Sequence, residues 1–332
     1  MEKQKQQPTF LDGLTADLGG RKSQAFFAKC DRYIPWAQLA ASLADLFDDS
    51  DPARGGRPHY TVVTMLKCLL VQKWFHLSDP GLEETLRDRL SFRRFVGLGL
   101  SDDTPDETTV VKFRRRLRQA GKMEDLFQTS LTYLSQAGLV LQEGTLVDAT
   151  ILETSRGHIN KEDGASTRDP SASFTAKGNQ KFFGYKGHVA ADKNAMVKDY
   201  VFDTAAPHDS VHADQLMEKE TKEVYADSAY RSQEREERLR NRQVQSGILH
   251  KRVRGQAELT AKQKEENRLW AGIRAPVEHV FGWMAQMGYV RVRYRGLTRN
   301  ALDFGLMVLA YNFKRAFSLI AKGVGTILAP AA

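Results

Sequence analysis

The stretch Thr145-Leu-Val-Asp-Ala-Thr-Ile151 decides how the rest of this chain is read. It is short, β-branched and almost wholly apolar, the texture of a buried strand. One carboxylate, Asp148, stands in its middle. Desolvating a lone charge costs several kcal/mol or more, so an ionised Asp148 requires compensation. An Arg or Lys side chain, backbone donors or a metal ion could supply it. The plainest reading is an ion pair with a residue of the next strand, such as Lys186.

Downstream, residues 155–181 are rich in Ser, Thr, Gly, Asn and Asp and read as a long loop. Residues 182–191 and 196–204 read as two strands, joined as a hairpin at Asp192-Lys-Asn-Ala195. A helix is expected from Pro207 to about Glu220, then a strand over 222–227 that ends on Asp227. A charged helix over 232–242 and a short strand over 247–252 follow. Residues 259–270 and 276–287 read as helices interrupted at Gly272, and 301–321 as a final apolar helix. This order predicts an α+β domain over 141–325, a mixed sheet flanked by helices, in which two adjacent strands each carry one Asp.

Upstream the texture is helical. Residues 1–25 are polar and Gly-punctuated, a flexible arm, and 26–140 form an all-α region. Apolar residues recur at helical spacing over 26–47, 61–77 and 82–95, with Arg93 and Arg94 expected to face outward. Residues 48–58 are dense in turn residues. Thr104-Pro105-Asp106-Glu107 matches a capping box, with Thr104 as cap and Pro105 at the first helical position. The helix it starts carries Arg114, Arg115, Arg116 and Arg118 and stops at Gly121. Two helices joined by a Gly-containing turn, the second strongly basic, fit a helix-turn-helix-like DNA reader. A solvated helix face is the plain alternative.

Charge points the same way. The chain carries a net +8, and residues 231–300 alone hold sixteen Lys or Arg against seven Asp or Glu. A locally basic segment favours a polyanion-binding surface. Cys30 and Cys68 lie in no C-x-x-C pair and read as reduced thiols. The N-terminus has no apolar leader core, and no apolar run reaches about 18 residues. A cytoplasmic protein with no membrane partner is expected. Gly19-Gly-Arg-Lys-Ser lacks the full phosphate-loop pattern, so no nucleotide cofactor is expected.

In the helix after Pro276, Val277, Val280, Phe281 and Met284 form a stripe facing the sheet, with Glu278 at its edge. Asp148, Asp227 and Glu278 together are a set of hard oxygen ligands that suits Mg²⁺ or Mn²⁺. Two such ions can activate an attacking oxygen and stabilise the leaving one at a phosphodiester. Each carboxylate also has an ordinary explanation: Asp227 as a helix cap, Glu278 as a first-turn residue, and Asp148 as half of an ion pair. His188 and His279 read as structural or DNA-contacting, because a Mg²⁺ site prefers oxygen. Arg291, Arg293 and Arg295 alternate along an extended segment and share one face. Tyr289 and Tyr294 interleave with them, either stacking on a base or packing inward.

Several separated motifs resemble the bacterial insertion-sequence DDE transposases of the IS-five-type family. They are Tyr60-Thr-Val-Val-Thr-Met-Leu66, Leu146-Val-Asp-Ala-Thr150, Phe183-Gly-Tyr-Lys-Gly-His188, Pro207-His-Asp-Ser210, Tyr225-Ala-Asp-Ser-Ala-Tyr230, Val277-Glu-His-Val-Phe-Gly-Trp283 and Val292-Arg-Tyr-Arg-Gly-Leu297. The resemblance runs from about Tyr60 onward. It implies a ribonuclease-H-like catalytic domain, with Asp148, Asp227 and Glu278 as catalytic and metal-binding residues. It implies Mg²⁺-dependent cleavage at transposon ends and joining of the freed 3′-OH to target DNA, with double-stranded DNA as partner and a homodimer on it. Similar transposases carry a Tyr, an Arg and a Lys around the catalytic Glu. Here Arg274 matches, while Ala271 and Ala285 stand in the other two places, so their DNA contacts pass to neighbours such as Arg291, Arg293 and Arg295, or are weakened. The DNA-contacting set expected is therefore Arg114, Arg115, Arg116, Arg118, Lys186, Arg274, Arg291, Arg293 and Arg295. A DNA-binding protein without catalysis and a plain metal-dependent nuclease are the competing readings. Without metal, the three carboxylates are expected to repel one another.

Overall fold

Apolar periodicity builds helices in the first part of the chain and strands in the second, and each set closes its own core. A computed structural model of the protein describes residues 22–47, 59–160, 166–252 and 255–326. Residues 1–21 of the expected arm and the loop over 48–58 lie outside these described residues. The chain divides into two units, one ending at Tyr133 and one covering Leu134–Thr326.

The first unit is helical. The run expected over 26–47 is broken: α1 (Lys22–Tyr33) stops before Pro35, and α2 (Trp36–Ala41) starts after it. Proline lacks the N–H that would continue the helix. α3 (Val62–Trp74) is capped by Thr61, whose hydroxyl accepts from Thr64 N–H, and is buried along nearly its whole length. Arg89, in extended conformation, separates α4 (Asp79–Asp88) from α5 (Leu90–Phe95). Phe27 stacks on Phe95 at 4.3 Å and meets Phe92 edge-on at 4.9 Å, which joins α1 to α5. Cys30 and Cys68 are free and buried, and burial pushes the Cys68 thiol up to about 12.

The basic helix α6 (Glu107–Gln119) starts two residues later than the capping box predicts. Its cap is Asp106, which accepts from Thr109 N–H at 2.6 Å; Thr104 and Pro105 lie outside the helix. The aspartate competes successfully because its charge adds to the hydrogen bond at the helix N-terminus. Residues 96–106 connect α5 to α6, longer than the three or four residues of a helix-turn-helix turn. Arg93 is not outward: it is buried and donates to the carbonyls of Gly99 and Leu100, fastening that connection.

α7 (Met123–Gln136) leads into the second unit. There β1 (Thr145–Glu153) lies at the centre of a six-stranded sheet. β3 (Gln180–Ala191) pairs antiparallel with it, with Leu146 opposite Ala191 and Glu153 opposite Gly184. β4 (Val197–Thr204) pairs antiparallel with the second half of β3. On the other side of β1, β5 (Glu223–Ala226) and then β6 (Gln245–Ile248) run parallel to it. An antiparallel meander continued by two parallel strands, with helices on both faces, is the ribonuclease-H-like arrangement. The span read as a loop over 155–181 also contains a strand, β2 (Ser173–Lys177), which pairs with the first half of β3. Three of its five residues are exposed and it carries no buried apolar face, which hides it from hydropathy.

Helices cover the sheet. On one face, α8 (Ala213–Met217) and α9 (Gln233–Asn241) close over Val147, Ala190, Val224 and Ala226. The helix expected from Pro207 to Glu220 is instead a 3₁₀ turn, Asp209–Val211, followed by the short α8. On the other face lies α12 (Leu297–Ile320). Its Phe304 ring sits over Gly187, where a Cβ would come within 2.4 Å of the ring. Asn312 of α12 accepts from Val197 N–H and donates to Val197 C=O, both at 2.9 Å, docking the helix on β4. α10 (Ala261–Arg274) runs straight through Gly272. The break falls at Pro276, in the 3₁₀ turn Ala275–Val277, before α11 (Glu278–Gln286). A helix tolerates one glycine at about 1 kcal/mol, but proline costs about 3 kcal/mol in a helix interior.

Candidate active site

The site grows from the middle of β1, where the parallel β5 beside it ends. β1 and β5 are in parallel register up to Val147 opposite Ala226, so Asp148 and Asp227 are the next residues on each strand. Asp227 leaves the sheet at once: its Oδ1 accepts from Ser228 N–H at 2.6 Å and caps the 3₁₀ turn Ser228–Tyr230. The capping reading of Asp227 therefore describes one of its oxygens. Asp148 Oδ1 accepts from the neighbouring Ala149 N–H at 2.9 Å.

The side chain that answers Asp148 comes from 126 residues away. Arg274, the last residue of α10, donates from Nη1 to Asp148 Oδ2 at 2.9 Å. Its Nη2 lies 3.5 Å from Glu278 Oε1. The turn at Pro276 allows this, since it follows Arg274 and precedes Glu278, the first residue of α11. Val277, Val280 and Met284 are buried and Phe281 half-buried, so α11 faces the core as its stripe requires and leaves Glu278 exposed at the edge. One guanidinium thus stands between carboxylates of β1 and α11.

The charge balance is incomplete. Burial pushes the Asp148 carboxyl up, Arg274 pulls it down, and Asp227 pushes it up again; the result lies above the ordinary carboxylate value. A single guanidinium does not offset three neighbouring carboxylates. A donor set made only of hard oxygens, with negative charge in excess, fits a divalent cation of the Mg²⁺ class. As the side chains stand, no three His, Cys, Asp or Glu groups among the described residues converge on one ion. Arg274 occupies the space between Asp148 and Glu278.

Other expected residues stand elsewhere. Lys186 does not pair with Asp148. It is buried, with Nζ 2.8 Å from Asp209 Oδ1 and 2.8 Å from Pro207 C=O, so it is not placed to reach DNA. Arg114 is likewise withdrawn: buried on α6, its Nη2 meets both oxygens of Asp79, at 2.8 and 2.7 Å, inside the helical unit. Arg115 and Arg116 are exposed and Arg118 half-buried on the same helix. His279 is exposed, whereas His188 is buried beside His212 and burial lowers it to about 4.

The arginine row is extended. Val292 N–H donates to Glu153 C=O, and Glu153 N–H to Val290 C=O, which fastens the segment to the end of β1. Arg291, Arg293 and Arg295 are exposed, alternating with half-buried Val292, Tyr294 and Gly296. Val292 and Leu297 pack against Ala172, Phe183 and Tyr185. Tyr289 packs inward, and burial holds its phenol well above the ordinary value.

Two anchors of this row escaped sequence reading. Asn300 of α12 accepts from Tyr294 N–H and donates to Tyr294 C=O. Asp169 is fully buried, accepts from the Tyr185 hydroxyl at 2.8 and 2.9 Å, and accepts from Gly296 N–H at 3.1 Å. Asp169 lies in the polar span 155–181, where one carboxylate has no signal to separate it from its neighbours.

Comparison with known proteins agrees with this architecture. The family model described as "Transposase DDE domain" matches residues 141–313, and "Transposase domain (DUF772)" matches residues 18–116. The chain belongs to the DDE transposase family. It is a DNA transposase, of the kind carried by bacterial insertion sequences, and DDE transposase domains generally use divalent metal ions. Among solved structures, the chain is similar to a piggyBac transposase in a synaptic complex with hairpin DNA, at 11% identity and a TM-score of 0.43. That match covers 93% of this chain and 77% of the other; at this level it adds no argument. Among the described residues, no helix is long and apolar enough to cross a membrane.

Proposed function

We propose that this protein, an IS-five-type transposase, binds the ends of its element, cleaves them and joins the freed 3′-OH to target DNA. Asp148, Asp227 and Glu278 are the catalytic residues. The observation that carries the proposal is their placement: Asp148 within β1 and Asp227 just past the end of the adjacent parallel β5, at the same level of the sheet, with Glu278 one guanidinium away. These three side chains would hold Mg²⁺ or Mn²⁺, as two ions. When bound, the ions supply charge for the attacking and leaving oxygens of a phosphodiester.

The rest is work for the chain's own residues. The exposed face of Arg291, Arg293 and Arg295 grips phosphates, and arginine does so bidentately. Because phosphates look alike along the duplex, this grip carries little sequence preference and weakens steeply with salt. Arg115, Arg116 and Arg118 on α6 add contacts from the helical region over 26–140. Ala271 and Ala285 leave no side chain for two family contacts to the end, so the arginine row takes a larger share. Two copies bring two ends together, as a homodimer on DNA. The protein acts in the cytoplasm, at the nucleoid, without a nucleotide cofactor.

Incubating the protein with Mg²⁺, a labelled end duplex and supercoiled plasmid tests the proposal. Covalent end–plasmid joints that vanish in Asp148→Ala support it. Binding without cleavage would instead identify a DNA-binding regulator, and cleavage without joining a nuclease.

A further inference from the structure

We infer that Arg274 is the internal counter-cation of the carboxylate site: it occupies Asp148 and Glu278 until a divalent ion and a DNA phosphate take over its two roles. The inference rests on the reading of Asp148, Asp227 and Glu278 as metal ligands, and it assigns Arg274 a competitive function toward that ion.

The geometry of the guanidinium is the first argument. Its two terminal nitrogens are split between carboxylates on different elements, 2.9 Å from Asp148 and 3.5 Å from Glu278. The first is a charge-assisted hydrogen bond and the second is stretched. Neither is the bidentate fork that arginine makes in a finished ion pair. The third nitrogen is the second argument: Nε is buried and has no acceptor. Buried donors without partners are rare in native structures, and each calls for an explanation. A phosphate oxygen is an acceptor of the right chemistry for it.

The location is the third argument. Arg274 ends α10 immediately before the Pro276 turn, and its side chain is 16% exposed. It stands at the rim of the site, with part of its side chain open to solvent. Electrostatics then sets the sign of the coupling. A divalent ion and a guanidinium that use the same carboxylate oxygens repel each other and exclude each other from them. Each therefore weakens the other's hold, and by linkage the effect is reciprocal. Without the ion, Arg274 keeps the carboxylates from repelling one another apart. With the ion in place, its donors turn to a phosphate, so ion and DNA assist each other's binding.

Full-length wild type, Arg274→Gln and Asp148→Ala are titrated with Mn²⁺ alone, following free Mn²⁺ by electron paramagnetic resonance. Arg274→Gln is expected to bind Mn²⁺ about tenfold tighter than wild type, because a competing charge has gone. Adding Mn²⁺ is expected to raise wild-type affinity for a short duplex more than that of Arg274→Gln. Equal or weaker Mn²⁺ binding by Arg274→Gln, with binding lost in Asp148→Ala, overturns the counter-cation role and leaves the metal reading standing. Mn²⁺ binding unchanged by Asp148→Ala overturns both. If Arg274→Gln does not fold, Arg274→Met replaces it; it too removes the competing charge, so a gain over wild type is still expected, and no gain overturns the inference.

Discussion

Two arginines of this chain each meet an aspartate, and the pairs have opposite characters. In the helical unit, Arg114 places one nitrogen against both oxygens of Asp79, and Gln72 donates to the same carboxylate at 2.7 Å. Charges and hydrogen-bond capacity match there. In the sheet unit, Arg274 reaches Asp148 with one nitrogen, touches Glu278 with another and leaves Nε without a partner. Asp227 adds negative charge beside it. The first pair is closed, while the second still lacks positive charge. A buried ion pair is weak evidence for stability, and an incomplete one is a candidate place for a further charge to bind.

The strongest way to break the comparison is to remove the incomplete pair's acid. Asp148→Ala is expected to lower strand joining by about three orders of magnitude or more, the loss of several kcal/mol of transition-state stabilisation. Circular dichroism should show the fold intact; retained joining would make Asp148 another structural acid.

The closed pair should respond in stability. Arg114→Ala leaves Asp79 partly buried with its main cation gone, a loss of about 3–5 kcal/mol. Urea unfolding of the full chain measures it. Arg274→Ala, at the more open pair, is expected to cost about 1 kcal/mol. Equal costs would erase the distinction.

A second acid sharpens the contrast within the sheet unit. Burial pushes the Glu220 carboxyl up, but the Thr145 hydroxyl, the Lys222 backbone N–H and Lys198 outweigh it and hold it at about 2. A lowered value means this acid stabilises the fold above its unfolded value of 4.5, and the contribution is lost as pH falls from 4.5 toward 2. Its size is about 3 kcal/mol. Glu220→Gln is expected to flatten the acid limb of stability against pH over that window. Asp148, raised, contributes with the opposite sign: its cost appears as pH rises above 3.8.

The smallest effect concerns the arginine row. Asp169→Asn weakens the anchor at Gly296 without touching the carboxylates, and is expected to lower duplex affinity severalfold, about 1 kcal/mol. Arg291→Ala should reduce the slope of log affinity against log salt by about one. Mn²⁺ binding unchanged in both variants would separate the row from the carboxylate site.

Much of the fold was legible because strands and helices follow local hydropathy. The run around Asp148, the hairpin at Asp192 and the helix over 62–74 needed no partner to be seen. β2 was not legible, since its residues are mostly exposed and its pairing with β3 is what makes it a strand. The start of α6 was misplaced because Thr104 and Asp106 both have capping chemistry, and the packed helix chooses between them.

By itself, then, the sequence determined that Asp148 is a charge in an apolar strand and that arginines alternate over 291–295. Packing alone brings Arg274, and not Lys186, to Asp148, spends Arg114 on Asp79, and makes Asp169 an anchor of the arginine row. The reason is physical. Hydropathy and propensity act between residues a few positions apart, whereas a desolvated charge takes whichever opposite charge the packed chain brings within about 3–4 Å, whatever its distance along the sequence.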